Sequence, residues 1–60
     1  MKIFYVIKDP INGKYLSTQD KWDELFMSID FSEENDAIKY AYNNLDTYFT
    51  IEKIYNSNQN

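Results

Sequence analysis

The first seventeen residues have the pattern of a β-hairpin. Residues 2–8, Lys-Ile-Phe-Tyr-Val-Ile-Lys, are β-branched and aromatic between two charges, and both faces of this strand are apolar, as in a central strand. Residues 9–13, Asp-Pro-Ile-Asn-Gly, combine a proline with an Asn-Gly pair and therefore favour a reverse turn. Residues 14–17 then return as the second arm of the hairpin.

The apolar residues within 18–31 fit both the spacing of a helix and the spacing of a strand. The apolar stripe of a helix would hold Trp22, Leu25, Phe26 and Ile29. The apolar residues at 25, 27, 29 and 31 also alternate with their neighbours, as they would in a strand. We favour an irregular or helical turn at 19–24 followed by a short strand at about 26–31, and a helix throughout is the alternative.

The second half of the chain predicts one helix and one strand. Ser32 is a good N-cap, and acids follow it in the first turn, where the helix dipole favours them. The stripe of this helix holds Ile38, Ala41, Tyr42 and Leu45, and we expect the helix to run over 33–45, ending in Asn43-Asn44. Residues 48–55 read as a last strand, with residues 49, 51 and 55 on one face.

The predicted order β-β-(β)-α-β defines a small two-layer α+β domain over 1–55, followed by a polar tail at 56–60. One helix should cover a mainly antiparallel sheet of three or four strands. The first strand should lie between the second strand and the last. The predicted core consists of Ile3, Tyr5, Ile7, Ile38, Ala41, Leu45 and Ile51.

Composition removes most kinds of catalytic chemistry. The 60 residues include no Cys and no His, which excludes disulfides, thiolate or imidazole metal ligands and an imidazole base. The single glycine, Gly13, cannot form a Gly-rich phosphate loop. The acids lack the spacing of a calcium loop. We therefore expect a protein that is not an enzyme, with no catalytic residues, no cofactor and no metal.

The N-terminal and apolar segments indicate where the protein works. The apolar run at 3–7 is shorter than the core of a signal peptide, and no small-residue cleavage site follows it. No stretch approaches the roughly 20 apolar residues that a membrane span needs. We expect a cytoplasmic protein that does not act at a membrane.

Charge is distributed unevenly. Residues 20–36 contain seven acids and one lysine, for a charge of -6, whereas the whole chain carries -4. A field of this sign repels nucleic acid and attracts basic surfaces. The chain has no arginine and its lysines are scattered, so we expect no direct nucleic-acid binding. The acids are either helix caps and solubilising groups or a docking surface for a basic groove.

Aromatic side chains are the second candidate feature. Tyr40 lies opposite the apolar stripe of the predicted helix, and exposed tyrosines are favoured at interfaces, although an AT-rich genome also uses Tyr in place of other residues. Trp22 and Phe26 would supply desolvated contacts if they were exposed. The candidate protein-binding residues are Asp20, Trp22, Asp23, Glu24, Asp30, Glu33, Glu34, Asp36 and Tyr40.

Amino-acid composition indicates the origin of the gene. Asn, Ile, Lys and Tyr supply 26 of the 60 residues, whereas Gly, Ala, Arg and Pro supply four. This bias indicates an AT-rich gene from a low-GC bacterium or from a virus or mobile element living in one. We expect the reading frame to be complete and leaderless, which at this length favours a mobile element.

The sequence resembles small uncharacterised phage and prophage proteins of low-GC Gram-positive bacteria. The resemblance rests on Tyr5-Val6, on residues 13–17 (Gly-Lys-Tyr-Leu-Ser), on Trp22 and on the helix start at 31–41, and it spans about two-thirds of the chain. It implies a phage context and no particular activity. Small acidic phage proteins include anti-CRISPR proteins and DNA-mimicking enzyme inhibitors.

Three functional hypotheses follow from these features. The first is a non-enzymatic phage or mobile-element protein that binds and inhibits a host protein by occupying its basic, nucleic-acid-binding surface. The second is a structural or assembly protein that self-associates, for example as a homodimer, through a sheet edge or an uncovered sheet face. The third is a protein that sequesters a small nucleotide, which the absence of arginine and of a phosphate loop disfavours.

Overall fold

In the computed structural model, which describes residues 2–56, one helix packs on one face of a four-stranded antiparallel sheet. The strands are β1 (Lys2–Lys8), β2 (Tyr15–Leu16), β3 (Trp22–Asp23) and β4 (Thr50–Asn56), and the helix α1 is Glu34–Asn44. The spatial order is β3-β2-β1-β4. This order confirms the predicted α+β class and the central position of the first strand. The predicted tail at 56–60 lies outside the described residues, apart from the backbone of Asn56 in β4.

The turn between β1 and β2 forms as the sequence predicts. The Asp9 N–H donates to the Lys14 carbonyl at 2.8 Å, and the Gly13 N–H donates back to the Asp9 carbonyl at 2.9 Å. Gly13 has a φ of 75°, in the left-handed region that an Asn-Gly pair adopts easily. The second arm is shorter than the predicted 14–17, since only Tyr15–Leu16 pairs as a strand.

The predicted order of elements within 19–31 was wrong. The segment expected to turn contains β3 at Trp22–Asp23, and the segment expected to be a strand begins with a 3-10 turn at Leu25–Met27. Within 26–31, strand-like pairing is limited to two isolated bridges, from Ser28 to Ser17 and from Phe31 to Tyr5. The irregular turn of the favoured interpretation is found at 18–21, but neither its strand at 26–31 nor the helix-throughout alternative is found.

A tight turn before β3 explains this rearrangement. The Ser17 hydroxyl accepts hydrogen bonds from the N–H groups of Gln19 and Lys21, at 3.2 and 3.4 Å. Asp20 has a φ of 58°, a conformation that Asp adopts more readily than most residues. These local bonds reverse the chain within a few residues, so that Trp22 pairs with β2 instead of starting a helix.

The helix starts later than its sequence suggests. Its N-cap residue is Glu33, not Ser32, and no side chain caps the first turn. The reason lies just before it, where Phe31 exchanges two backbone hydrogen bonds with Tyr5 at 2.8 and 2.9 Å. Because this bridge holds Phe31 in the sheet, the chain needs further extended residues before α1 begins.

The core lies between α1 and the sheet, and it is centred on small helix residues. Ile7, Leu16, Ala37 and Ala41 are buried together. Around them pack Tyr5, Trp22, Phe31, Tyr40, Leu45, Phe49 and Ile51. Alanines four residues apart allow the helix to approach the sheet closely.

Two members of the predicted core lie outside it. Ile3 is 41% exposed, because it pairs with Tyr55 at the end of the sheet farthest from the Ile7–Ile51 pair. Ile38 is half-buried at the margin of the helix. It follows the buried Ala37 directly, so its side chain is rotated by about 100° around the helix.

On the sheet face opposite α1, polar side chains from β1, β2 and β4 contact one another. Tyr15 on β2 donates its hydroxyl hydrogen to Glu52 on β4 at 2.9 Å, across the intervening β1. The Lys8 ammonium lies 3.8 Å from the same carboxylate and 5.6 Å from the Tyr15 ring centroid. Val6, which pairs with Glu52, is fully buried on this face although no helix covers it.

Candidate protein-binding site

The acidic segment, residues 20–36, extends from the β3 side of the sheet to the first turn of α1. It contains β3, the 3-10 turn and the residues that lead into the helix. With seven acids and one lysine it carries a charge of -6, so it gives one part of the surface a strong negative field.

Three of the seven acids make contacts within the protein. Asp20 accepts a hydrogen bond from the Tyr40 hydroxyl at 3.0 Å. Asp23 is half-buried and accepts the N–H of Glu24 at 2.8 Å. The Glu24 carboxylate lies 2.7 Å from the Lys14 ammonium, and this hydrogen bond raises the pKa of Lys14. These acids therefore support local structure as well as contributing charge.

The other four acids are exposed. They are Asp30, Glu33, Glu34 and Asp36. None of them forms a side-chain hydrogen bond or ion pair with another residue in the part of the chain that the structure describes. Glu34 and Asp36 stabilise the first turn of α1 through its dipole, whereas Asp30 precedes the helix. These side chains are available to a basic partner.

The 3-10 turn presents an apolar tip within the acidic segment. The tip consists of Leu25, Phe26 and Met27, and no residue of this turn is buried. Phe26 is 83% exposed, and its two neighbours are 38% and 37% exposed. Backbone hydrogen bonds from Met27 to Glu24 and from Ser28 to Leu25, at 2.9 and 3.0 Å, hold the turn that projects Phe26.

Two aromatic candidates belong to the interior instead. Trp22 is half-buried and packs against the core, so it does not supply an exposed contact. Tyr40, expected on the free side of the helix, is also half-buried, with its ring centroid 5.6 Å from that of Phe31. Its hydrogen bond to Asp20, together with burial, raises its pKa. Trp22 and Tyr40 therefore hold the acidic segment against the core.

The prediction of site residues did not include the whole apolar tip. Phe26 was expected to contribute if exposed, but Leu25 and Met27 were assigned to ambiguous structure. The position of Leu25 and Met27 in the sequence could have indicated this tip. With Phe26 they form three consecutive apolar residues between Glu24 and Asp30, in a strongly acidic stretch. A short apolar run that fits the periods of a helix and of a strand equally well is compatible with a short exposed turn.

Residues 2–56 offer neither a metal-binding cluster nor a membrane-spanning helix. No group of three or more acidic side chains there is arranged to hold a metal ion. None of the described helices has the length and apolar character required to cross a bilayer.

Comparison with known proteins gives no relative: no family model, curated protein or solved structure matches the chain. The resemblance to small phage proteins therefore remains a prediction.

Proposed function

We propose that this protein is a non-enzymatic binder of phage or mobile-element origin that acts in the cytoplasm of its host. It binds a host protein through the acidic segment and the apolar tip. The occupied surface is basic and normally binds nucleic acid, so occupation inhibits the host protein. The AT-rich composition supports the origin, and the -6 charge of residues 20–36 supports the kind of partner.

The observation that carries this proposal is the exposure of Phe26. A large aromatic side chain that is 83% exposed leaves most of its apolar surface in water. Aromatic anchors that enter a pocket of the partner commonly dominate binding energy. Here the anchor is held by a hydrogen-bonded turn and lies between acidic residues. That combination favours a partner with an apolar pocket framed by lysine or arginine.

The exposed acids and Phe26 affect different steps of binding. Exposed carboxylates attract a basic surface and accelerate encounter, whereas the desolvated aromatic slows dissociation. The attraction between exposed charges is screened beyond about 8 Å at physiological salt. Binding should therefore weaken as salt rises, mainly through the association rate.

Affinity capture from lysates of low-GC Gram-positive bacteria tests the proposal. The bait is the full chain, and the variant is Phe26→Ala, which removes the anchor without touching the core. Ile11→Ala is the control, because Ile11 is 81% exposed and lies in the turn between β1 and β2, outside the acidic segment. We expect a nucleic-acid-binding protein to be captured by the wild type and by the control, and to be lost with Phe26→Ala.

Salt provides a second comparison in the same experiment. Capture at low salt should decrease strongly in a high-salt wash, and charge reversal at Asp30 and Asp36 should have the same effect. A protein retained equally by Phe26→Ala, or captured equally at both salts, would show that binding uses a different surface.

A further inference from the structure

A second surface lies on the other side of the fold, between α1 and β4. An open groove of about 520 Å³ runs along it. One wall is the helix stripe Glu34, Ile38 and Tyr42, and the other is the chain from Thr47 to Ile51. Residues at positions i, i+4 and i+8 share one side of a helix, which explains why this wall is continuous.

Beside the groove, β4 is an edge strand of the sheet. Its inner edge pairs with β1 over seven residues, from Thr50 to Asn56. Within residues 2–56 no strand pairs with its outer edge. An edge strand directs alternate N–H and C=O groups outward, and these groups can pair with another extended chain.

The groove combines apolar walls with one charge. Tyr42 and Tyr48 are 73% and 78% exposed, and Phe49 packs edge-on against Tyr42 at a centroid distance of 5.5 Å. Glu34 is the ionised residue of the lining, and it is exposed. The tyrosine faces are suited to stacking, and the carboxylate is suited to a cation.

We propose that an extended segment of another protein adds to the outer edge of β4 and places an arginine in this groove. Arginine matches both features, because its guanidinium pairs with a carboxylate and stacks on aromatic faces. Backbone hydrogen bonds to β4 supply affinity, and the groove selects the side chain. This surface is separate from the apolar tip, so it defines a second binding function.

A second copy of the chain does not supply the arginine that we assign to this groove. The chain contains no arginine, and each copy carries a charge of -4. Symmetric antiparallel pairing centred on Glu52 or on Lys53 would place like charges directly opposite each other, which is unfavourable. Charge complementarity therefore points to a basic partner segment.

Synthetic peptides test the proposal directly. The probe is a fluorescein-labelled library of seven-residue peptides with Arg at the centre and Val, Ile, Thr or Tyr elsewhere. The matched library has Glu at the centre. We expect the Arg library to bind at least about tenfold more tightly by fluorescence anisotropy, as expected for one charge-assisted contact. Amide shifts should map to residues 50–56 and to the groove side of α1.

Protein variants locate the contact. Glu34→Gln and Tyr42→Ala should each weaken binding of the Arg library severalfold. Asp36→Asn is the matched control, because Asp36 lies in the same first turn of α1 but does not line the groove. Phe26→Ala should leave peptide binding unchanged, which separates this surface from the apolar tip.

Backbone N-methylation of the peptides tests the edge pairing without altering the protein. Methylated Arg peptides should lose binding, because they cannot donate to the β4 carbonyls. Equal binding of the Arg and Glu libraries, unchanged binding after methylation, or shifts confined to residues 20–33 would overturn the proposal. So would absence of binding, or a dimer by light scattering whose β4 amides are protected from hydrogen exchange.

Discussion

Tyr40 on α1 donates its hydroxyl hydrogen to the Asp20 carboxylate at 3.0 Å, which joins the helix to the tight turn before β3. The two residues are 20 positions apart in the chain. Asp20 also holds the left-handed backbone conformation of that turn, with a φ of 58°. One member of the acidic segment is thus a structural residue, and this has consequences for stability.

We expect Asp20→Ala to destabilise the protein by about 1–3 kcal/mol, because alanine disfavours a positive φ and cannot accept the Tyr40 hydrogen bond. Asp30→Ala is the control, since Asp30 is exposed and makes no such contact; it should change stability by less than about 0.5 kcal/mol. Urea denaturation measures both. Equal effects of the two substitutions would show that the Asp20–Tyr40 contact does not stabilise the fold.

The Tyr40 hydrogen bond also predicts a pH dependence. Hydrogen bonding to Asp20, followed by burial, raises the Tyr40 pKa above its ordinary value of 10.0. The unfolded chain therefore loses this proton at a lower pH than the folded chain. The stabilisation is fully present below pH 10 and is lost as pH rises from there through the folded pKa.

Tyr40→Phe should reduce the loss of stability between pH 9 and the alkaline limit of the fold. Some dependence should remain, because the hydrogen bond to Glu52 likewise raises the pKa of Tyr15. Tyr48→Phe, at an exposed site, is the control and should behave as wild type. The test is the free energy of unfolding measured over this pH range. If it changes with pH equally in the wild type and in Tyr40→Phe, the prediction is wrong.

The core can be tested by comparing two isoleucines. Ile7 is 1% exposed, so Ile7→Ala should cost about 2–5 kcal/mol, the range for emptying a packed aliphatic site. Ile38 is half-buried at the groove, so Ile38→Ala should cost only about 1 kcal/mol. Thermal melts should therefore separate the two variants clearly, and a larger effect at Ile38 would mean that α1 packs with a different face toward the sheet.

The sequence predicts the elements whose signals are local. The Asn-Gly turn, the apolar first strand and the late strand all follow from residue type, and together they define the sheet order. The helix is also predicted, but not its rotation. Ala41 belongs to the predicted stripe and is buried, but Ala37, which is equally buried, is missing from it. The small size of both alanines lets the backbone approach the sheet, whereas the more hydrophobic Ile38 lies at the margin.

Residues 19–31 could not be predicted because their conformation depends on contacts outside the segment. Trp22 pairs with Leu16 of β2, and Phe31 is held by backbone bonds to Tyr5 of β1. These long-range pairings override both periods in the sequence. The same pairings leave Phe26 exposed, so the most informative feature of the site is a result of tertiary structure.

We propose that this protein prevents a basic host protein from binding nucleic acid. The most direct measurement uses the captured host protein, purified and bound to a labelled oligonucleotide, and records label released as the chain is added. We expect release by the wild type and by Ile11→Ala, and little release by Phe26→Ala or by the variant reversed at Asp30 and Asp36. A ternary complex in which the oligonucleotide stays bound at saturating protein would contradict it.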